Sequence, residues 1–225
     1  SPTADIVNNI KQLTYEAIIR VNNFKTDEFP KKEIATIMGI EQYCLFRIGD
    51  AGFPLQQLQF SSPGENKFPN ADTGKLLQPS EWYHVAVVYD TEKKTAVIYV
   101  DGREQSRIED YGNGEPVNLG KQTRGKDFMF KIGHSYGDPD YMERQLDGEI
   151  CEVRVWNVAR SQQEIFDNMY NIEDPANTPG LQAYWKFNEG EGDIAKDYTG
   201  HGNDAKSYAK ATWPTGIEVT QKNKE

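Results

Sequence analysis

The chain has 225 residues, and its 35 acidic side chains outnumber its 25 lysines and arginines, which gives a formal net charge of −10. This balance excludes the function classes that need a basic face, namely nucleic-acid binding and binding to anionic membranes. Two cysteines are too few for a disulfide framework. The sequence contains no run of about 18 apolar residues, which is the length that predicts a membrane-spanning segment. The length suits one large domain or two small ones and can bury a sizeable core. Because we find no linker rich in Pro, Gly or Ser and no internal repeat, we predict one domain spanning residues 1–225.

Short segments of alternating apolar and polar residues follow one another along the chain, separated by Gly, Pro, Asn and Asp. They predict strands at residues 13–21, 34–38, 43–48, 55–60, 82–89, 95–100, 128–132, 149–156 and 181–187. One short helix is predicted after Ser161, because Ser161-Gln162-Gln163-Glu164 is a capping box. Many short strands with one small helix predict an all-β fold, a two-sheet antiparallel jelly-roll sandwich.

The alternation also predicts which side chains share a face of the sheet. In the segment 43–48 the apolar side chains occupy one face, which leaves Tyr43 and Arg47 on the other. In the next predicted strand Gln57 and Gln59 are set apart from their apolar neighbours in the same way. A face with a ring, a guanidinium and two amides suits a polar ligand, although an ordinary solvated face has the same composition.

Three later segments carry a resemblance to a known family. Residues 82–90 and 98–102 form a hairpin that ends in Val-Asp-Gly, and residues 146–157 end in Val-Arg-Val-Trp-Asn. Residues 180–190 contain Tyr-Trp-Lys-Phe-Asn-Glu-Gly and precede Asp-Tyr-Thr-Gly-His-Gly-Asn-Asp at 197–204. Together these segments resemble laminin-G-like domains of the concanavalin A-like lectin and glucanase superfamily, which implies a concanavalin A-like jelly roll.

The order of these segments is similar to that in secreted Bacteroidetes proteins, in which the laminin-G-like module follows a domain of unknown function. The resemblance therefore implies an extracytoplasmic protein, an upstream domain in a longer native chain and a glycan as partner. Our interpretation is a non-catalytic, lectin-like carbohydrate-binding module. The alternatives are a glycoside hydrolase and a protein-binding adhesion module, since this fold hosts all three activities.

The hydrolase alternative depends on Asp147-x-Glu149-x-x-Glu152, because glucanases of the superfamily carry their catalytic acids on one strand. Glu149 and Glu152 would be the catalytic pair, and a retaining pair needs its carboxyls about 5–5.5 Å apart. Strict alternation sends Glu152 to the opposite face from Glu149 unless a β-bulge intervenes. Structural acids are the competing interpretation.

A loop with the sequence His-Ser-Tyr-Gly-Asp-Pro-Asp-Tyr offers a second candidate sugar site. Tyr136 and Tyr141 could stack on sugar rings, while Asp138 and Asp140 could accept hydrogen bonds from hydroxyl groups. A plain surface loop is the alternative.

Calcium is the one metal that the sequence suggests, because carboxylate and carbonyl oxygens suit a hard cation. Asp197 and Asn203 are the expected ligands, in a loop whose composition turn chemistry also explains. The three histidines show no spacing typical of a metal site or a catalytic triad. Cys44 and Cys151 fall on apolar strand faces, which favours buried thiols, and a disulfide requires that their strands be neighbours.

Overall fold

A computed structural model of the chain describes residues 4–24, 34–41, 43–50, 53–62, 70–117, 129–135, 144–207 and 212–214. Within them two antiparallel sheets account for most of the regular structure. The six-stranded sheet runs, in spatial order, through β11 (Leu181–Trp185), β10 (Gly148–Trp156), β1 (Gln12–Val21), β6 (Trp82–Asp90), β7 (Thr95–Val100) and β8 (Arg103–Ile108). The five-stranded sheet runs through β5 (Asn70–Leu76), β4 (Gln57–Ser61), β3 (Cys44–Ile48), β2 (Ala35–Ile40) and β9 (Lys131–Ile132).

Smaller elements complete the described part of the chain. A two-stranded ribbon pairs β12 (Ile194–Ala195) with β13 (Ala205–Lys206), and the helix α1 covers Gln162–Asp167. Single turns of 3-10 helix lie at Ala4–Val7 and Pro175–Asn177. The all-β, two-sheet sandwich with one short helix that the sequence predicts is therefore confirmed.

The main hydrophobic core lies between the two sheets and draws alternate residues from both. Aromatic rings anchor it: Tyr15 of β1 meets Phe60 of β4 at 6.4 Å between ring centroids and Phe130 at 5.7 Å. Phe130 in turn stacks on Trp185 of β11 at 5.9 Å. Each sheet thus packs one face against this core and turns its other face outward.

On the outer face of the six-stranded sheet, α1 packs against β6, β7 and the edge strand β8. Ser161 caps the helix as predicted, with its hydroxyl accepting from the Glu164 amide while the Glu164 carboxylate accepts from the Ser161 backbone. Ile165 is fully buried against a second apolar cluster, made up of Ala86, Val88, Val97 and Tyr99. The capping box begins the helix at a position that lets Ile165 cover this apolar cluster.

A buried ionic cluster fixes the segment before α1 to the same sheet. Glu16 is fully buried, and its carboxylate contacts Arg160 at 2.6 Å, His84 at 3.1 Å and Arg154 at 3.6 Å. Burial acts to raise the pKa of Glu16, but the His84 hydrogen bond and the two guanidinium charges overcome it and lower that pKa to about 2. The carboxylate is therefore ionised at neutral pH and holds together β1, β6, β10 and the segment before α1.

Two strands of the main sheets and both strands of the ribbon are absent from the sequence prediction. β5 and β8 are rich in polar and charged residues and lie at sheet edges, where one neighbour suffices and no apolar alternation is needed. β12 and β13 have two residues each, too few for any pattern.

No helix in the described ranges is both long enough and apolar enough to span a membrane.

Candidate functional site

A row of polar side chains crosses four strands of the five-stranded sheet. Thr36 of β2 lies opposite Arg47 of β3, Arg47 lies opposite Gln59 of β4, and Gln59 lies opposite Asp72 of β5. Gln57 stands two residues before Gln59 and so points to the same side of the sheet. We call the surface formed by Arg47, Gln57, Gln59 and Asp72 the polar face. Arg47, Gln57 and Gln59 were all expected to share such a face, and the structure brings them together.

The polar face is buried although it is turned away from the main core. Arg47 is 7% exposed, Gln57 5% and Gln59 0%, whereas Asp72 is half-buried. The Asp50 side chain, which follows β3, is 22% exposed. The face therefore runs from a rim that contacts solvent to a floor that does not. Hydrogen bonds on such a floor are stronger than in water, and unmet ones are more costly.

Ion pairs hold the cations of this region. Arg47 pairs with Asp50 through Nη2. Burial lowers the pKa of Arg47, and the carboxylates of Asp50 and Glu41 counter that shift. Glu41 is itself held by Arg144 Nη1 at 2.6 Å and by the Ser135 hydroxyl at 2.6 Å. Arg47 and Arg144 therefore each have a carboxylate partner.

The two glutamine amides have orientations that their neighbours fix chemically. Gln57 Nε2 donates to Asp72 Oδ1 at 3.0 Å, and a carboxylate can only accept. Gln59 Oε1 accepts from Arg47 Nη2 at 3.4 Å, and a guanidinium can only donate. Flipping either amide would set like groups against each other, so Gln57 must turn its oxygen, and Gln59 its nitrogen, to the remaining space.

Those two remaining atoms are unsatisfied. Both Gln57 Oε1 and Gln59 Nε2 are buried, and no group in the described residues hydrogen-bonds to either. A buried polar atom without a partner costs about 1–3 kcal/mol. Other unpaired atoms, such as the Tyr15 hydroxyl and Trp156 Nε1, occur in the apolar clusters. The polar face differs because an open acceptor and an open donor lie two residues apart on one strand.

The expected position of Tyr43 was wrong. Tyr43 is 1% exposed and belongs to the main core rather than to the polar face. β3 begins only at Cys44, and the Tyr43 backbone amide closes a turn onto the Ile40 carbonyl at 3.1 Å. Strand alternation does not extend into that turn, so the ring falls on the apolar side.

Sequence reasoning did not find two charged members of the region, Asp50 and Asp72. Asp50 follows the strand and Asp72 lies in a strand that was not predicted, so neither fell in a recognised alternating pattern.

An exposed aromatic side chain, Phe53, also lies near this part of the sheet. It is 40% exposed, and its backbone amide donates to the Asp50 carbonyl at 3.1 Å. An aromatic residue within a Gly-Phe-Pro turn was the signal that could have indicated it.

The second predicted sugar site lies outside the described residues. Tyr136, Asp138, Asp140 and Tyr141 all fall in residues 136–143, which the structure does not describe. Their role stays a prediction.

The two acids of the hydrolase alternative lie on the outer face of the six-stranded sheet. A bulge in β10, where Glu152 has φ 52°, breaks the alternation and turns Glu152 toward the Arg154 guanidinium and the Tyr184 hydroxyl. Glu149 is held by Arg20, at 2.9 Å to Nε and 2.5 Å to Nη2. Because of the bulge, Glu149 and Glu152 can lie on the same face of the sheet. Each carboxylate is nevertheless paired with an arginine, which is typical of structural acids.

The predicted calcium ligands are part of a hydrogen-bonded turn. Asp197 accepts at Oδ1 from the Tyr184 and Thr199 amides at 3.2 and 3.0 Å, and at Oδ2 from the Asn203 amide at 3.1 Å. The Asn203 carbonyl accepts from Trp185 Nε1 at 2.8 Å. Across the residues that the structure describes, no group of three or more His, Cys, Asp or Glu could hold a metal ion. Calcium at Asp197 and Asn203 stays a prediction.

The histidines and cysteines lie in separate environments. His84 belongs to the Glu16 cluster, and His201 Nδ1 lies 3.1 Å from the Gln182 carbonyl. Cys44 and Cys151 are free thiols on different sheets, β3 and β10, so their strands are not neighbours. Burial raises the pKa of Cys151 to about 12 and that of Cys44 further, so both are protonated at neutral pH.

The sequence of residues 2–166 matches a family model described as the concanavalin A-like lectin/glucanases superfamily, of laminin-G type. No curated protein matches the chain. A solved structure from Bacteroides ovatus, provisionally described as a carbohydrate-binding protein, is 34% identical with a TM-score of 0.70. The similarity covers 87% of this chain and 51% of that one, so the chain spans about half the length of that relative.

More distant structures share the fold. Domain 4 of AbnA, a GH43 extracellular arabinanase from Geobacillus stearothermophilus solved with arabinotriose, is 16% identical with a TM-score of 0.52, covering 74% of this chain and 69% of that one. The CBM40 of a Ruminococcus gnavus sialidase, bound to α2,3 sialyllactose, is 12% identical with a TM-score of 0.50, covering 73% and 85%. At these identities the likeness concerns architecture alone.

Proposed function

The chain belongs to the concanavalin A-like lectin/glucanases superfamily, and from that premise we propose that it is a non-catalytic carbohydrate-binding module whose ligand lies on the polar face. The observation that carries the proposal is the pair of buried, unsatisfied amide atoms, Gln57 Oε1 and Gln59 Nε2. The provisional description of the Bacteroides ovatus relative as carbohydrate-binding supports the same ligand class.

A sugar suits this pair because of what a hydroxyl group can do. Each hydroxyl both donates and accepts, so one hydroxyl can donate to Gln57 Oε1 while another accepts from Gln59 Nε2. Asp72 and Arg47 polarise the two amides, which strengthens the open acceptor and the open donor. The unmet hydrogen bonds of the free protein are thereby satisfied in the complex, so binding recovers a cost that folding alone leaves in place.

The proposal extends to the setting of the module. We propose an exported protein, in which this chain forms part of a longer polypeptide and contacts glycan outside the cytoplasm. The Bacteroides ovatus relative, about twice as long as the matched region, supports a multidomain context.

The test separates binding from stability at Gln59. In Gln59→Met the open donor is replaced by an apolar group of similar size, so we expect glycan affinity to fall about tenfold. The free energy of unfolding should change by less than about 1 kcal/mol, because loss of the long Arg47 hydrogen bond offsets removal of the unsatisfied donor. Isothermal titration with an oligosaccharide selected on a glycan array gives the first quantity, and urea denaturation gives the second.

Gln105→Met is the matched control, because Gln105 lies on β8 of the other sheet and its amide donates to the nearby Arg103 carbonyl. It should leave glycan affinity unaltered. Unchanged affinity in Gln59→Met, or an array without any bound glycan, would contradict the proposal.

A further inference from the structure

We propose that the polar face selects neutral sugars and rejects sugars that carry a carboxylate. This inference rests on the proposed function, since it assigns the class of glycan that the same face accepts. Two independent features of the face support it: the opposite character of the two open glutamine atoms, and the pairing of Arg47 with Asp50.

The open atoms discriminate by hydrogen bonding. A carboxylate has no hydrogen to donate, so it can satisfy the Gln59 Nε2 donor but not the Gln57 Oε1 acceptor. An acidic group placed across both atoms sets oxygen against oxygen at Gln57 and leaves that buried acceptor without a partner. A neutral sugar presents hydroxyls at both positions and satisfies both.

The neighbouring charges act in the same direction. Arg47, the only cation that contacts either open-ended glutamine in the described residues, is already paired with Asp50. Farther along the sheet Arg144 is paired with Glu41, and Lys131 of β9 is engaged in a contact of its own. Asp72 adds a carboxylate beside Gln57.

An acidic sugar would therefore bring a charge into a buried space for which the described residues offer no available counter-ion. Removing a carboxylate from water is strongly unfavourable unless a cation and further hydrogen bonds compensate for it. Here the nearest guanidinium has its own partner, and Asp50 and Asp72 would both repel the incoming charge. Neutral hydroxyls carry no such cost.

The experiment compares neutral glycans with their carboxylated counterparts on the intact 225-residue chain. The probes are pairs on one array, such as lactose with 3′-sialyllactose and a galactose tetrasaccharide with tetragalacturonic acid, followed by isothermal titration of the best binder of each class. We expect the neutral class to bind at least about tenfold more tightly, and that affinity to be insensitive to salt between about 50 and 500 mM.

Asp50→Asn gives a second readout of the same idea. It removes the charge that neutralises Arg47 and keeps the side-chain shape, so affinity for the acidic probes should rise about threefold or more and should weaken with added salt. Glu104→Gln is the matched control. It removes a carboxylate that is paired with an arginine, Arg107, on β8 of the other sheet. Thermal melting establishes that both variants are folded.

The outcomes distinguish the inference from the function on which it rests. Preference for acidic glycans that is abolished by Gln59→Met would overturn the neutral selectivity and leave the carbohydrate site in place. Binding of either class that Gln59→Met does not weaken would remove the site from the polar face. An array that binds neither class would overturn the proposed function, and the selectivity with it.

Discussion

Glu16 shows how a single buried charge stabilises one side of the sandwich. Its carboxylate is fully buried between Arg160, Arg154 and His84, so Glu16→Gln removes the counter-charge of the buried Arg160 and leaves Arg154 with Glu152. We expect the free energy of unfolding at neutral pH to fall by about 3–5 kcal/mol, measured by urea denaturation. Glu92→Gln, which breaks the exposed pair with Lys11, is the control and should change little.

The same residue sets part of the acid sensitivity. The folded-state pKa of Glu16, about 2, lies below the ordinary value of 4.5, so its stabilisation is fully present above about pH 4.5 and is lost as the pH falls toward 2. Unfolding of Glu16→Gln should therefore depend less on pH across that window. An equal acid dependence in the variant and the parent chain would contradict this account.

Residue-level prediction from the sequence worked where strand alternation holds. Arg47, Gln57 and Gln59 lie within regular strands, and their common face followed from a period of two. The prediction for Tyr43 failed because this residue precedes the strand in a turn. The face of Glu152 was left open, and a bulge with positive φ decides it. Neither irregularity leaves a mark in the residue pattern.

At the scale of elements, the position of α1 on the sheet depends on a glycine that the helix approaches closely. Gly102 has φ +68°, and a Cβ there would lie 2.8 Å from the Phe166 ring and 3.0 Å from the Phe166 Cα. Gly202 has φ +82° but nothing within 4 Å of such a Cβ. The two positions share backbone strain and differ in steric contact.

Gly102→Ala should therefore destabilise the protein by about 1–3 kcal/mol more than Gly202→Ala, because only the first pushes the helix off the sheet. Denaturant unfolding of the two variants measures the difference. Equal losses would show that backbone strain alone is responsible and that Phe166 yields without cost. Glycan affinity should be the same in both, since α1 covers the sheet opposite the polar face.

Elements were predictable in proportion to their burial. The central strands β1, β3, β6, β7 and β10 bury one face or both, so their apolar residues recur in a pattern that a sequence shows directly. The edge strand β8 is largely polar, and the Asp72 that orients Gln57 lies in another edge strand, β5. The candidate site was thus recognisable in outline, but its orienting partners were not.

On the scale of the whole molecule, the two outer faces of the sandwich differ in kind. Beneath α1 the six-stranded sheet carries an ionic cluster centred on Glu16, which accepts from His84 and Arg160. On the five-stranded sheet the two glutamines of the polar face keep one acceptor and one donor unsatisfied. The first face stabilises the fold, and the second keeps two buried amide atoms unsatisfied, which is the feature on which the proposed function rests.

The most direct test of this account is the side-chain amide region of a nitrogen–proton NMR spectrum, recorded during titration with the tightest-binding neutral oligosaccharide. We predict that the Gln59 NH2 resonances move most, because Nε2 gains a hydrogen-bond acceptor, and that backbone shifts cluster in β3 and β4. The Gln105 NH2 resonances on β8 should stay in place. Saturable binding with unmoved Gln59 resonances and shifts confined to the six-stranded sheet would contradict the account.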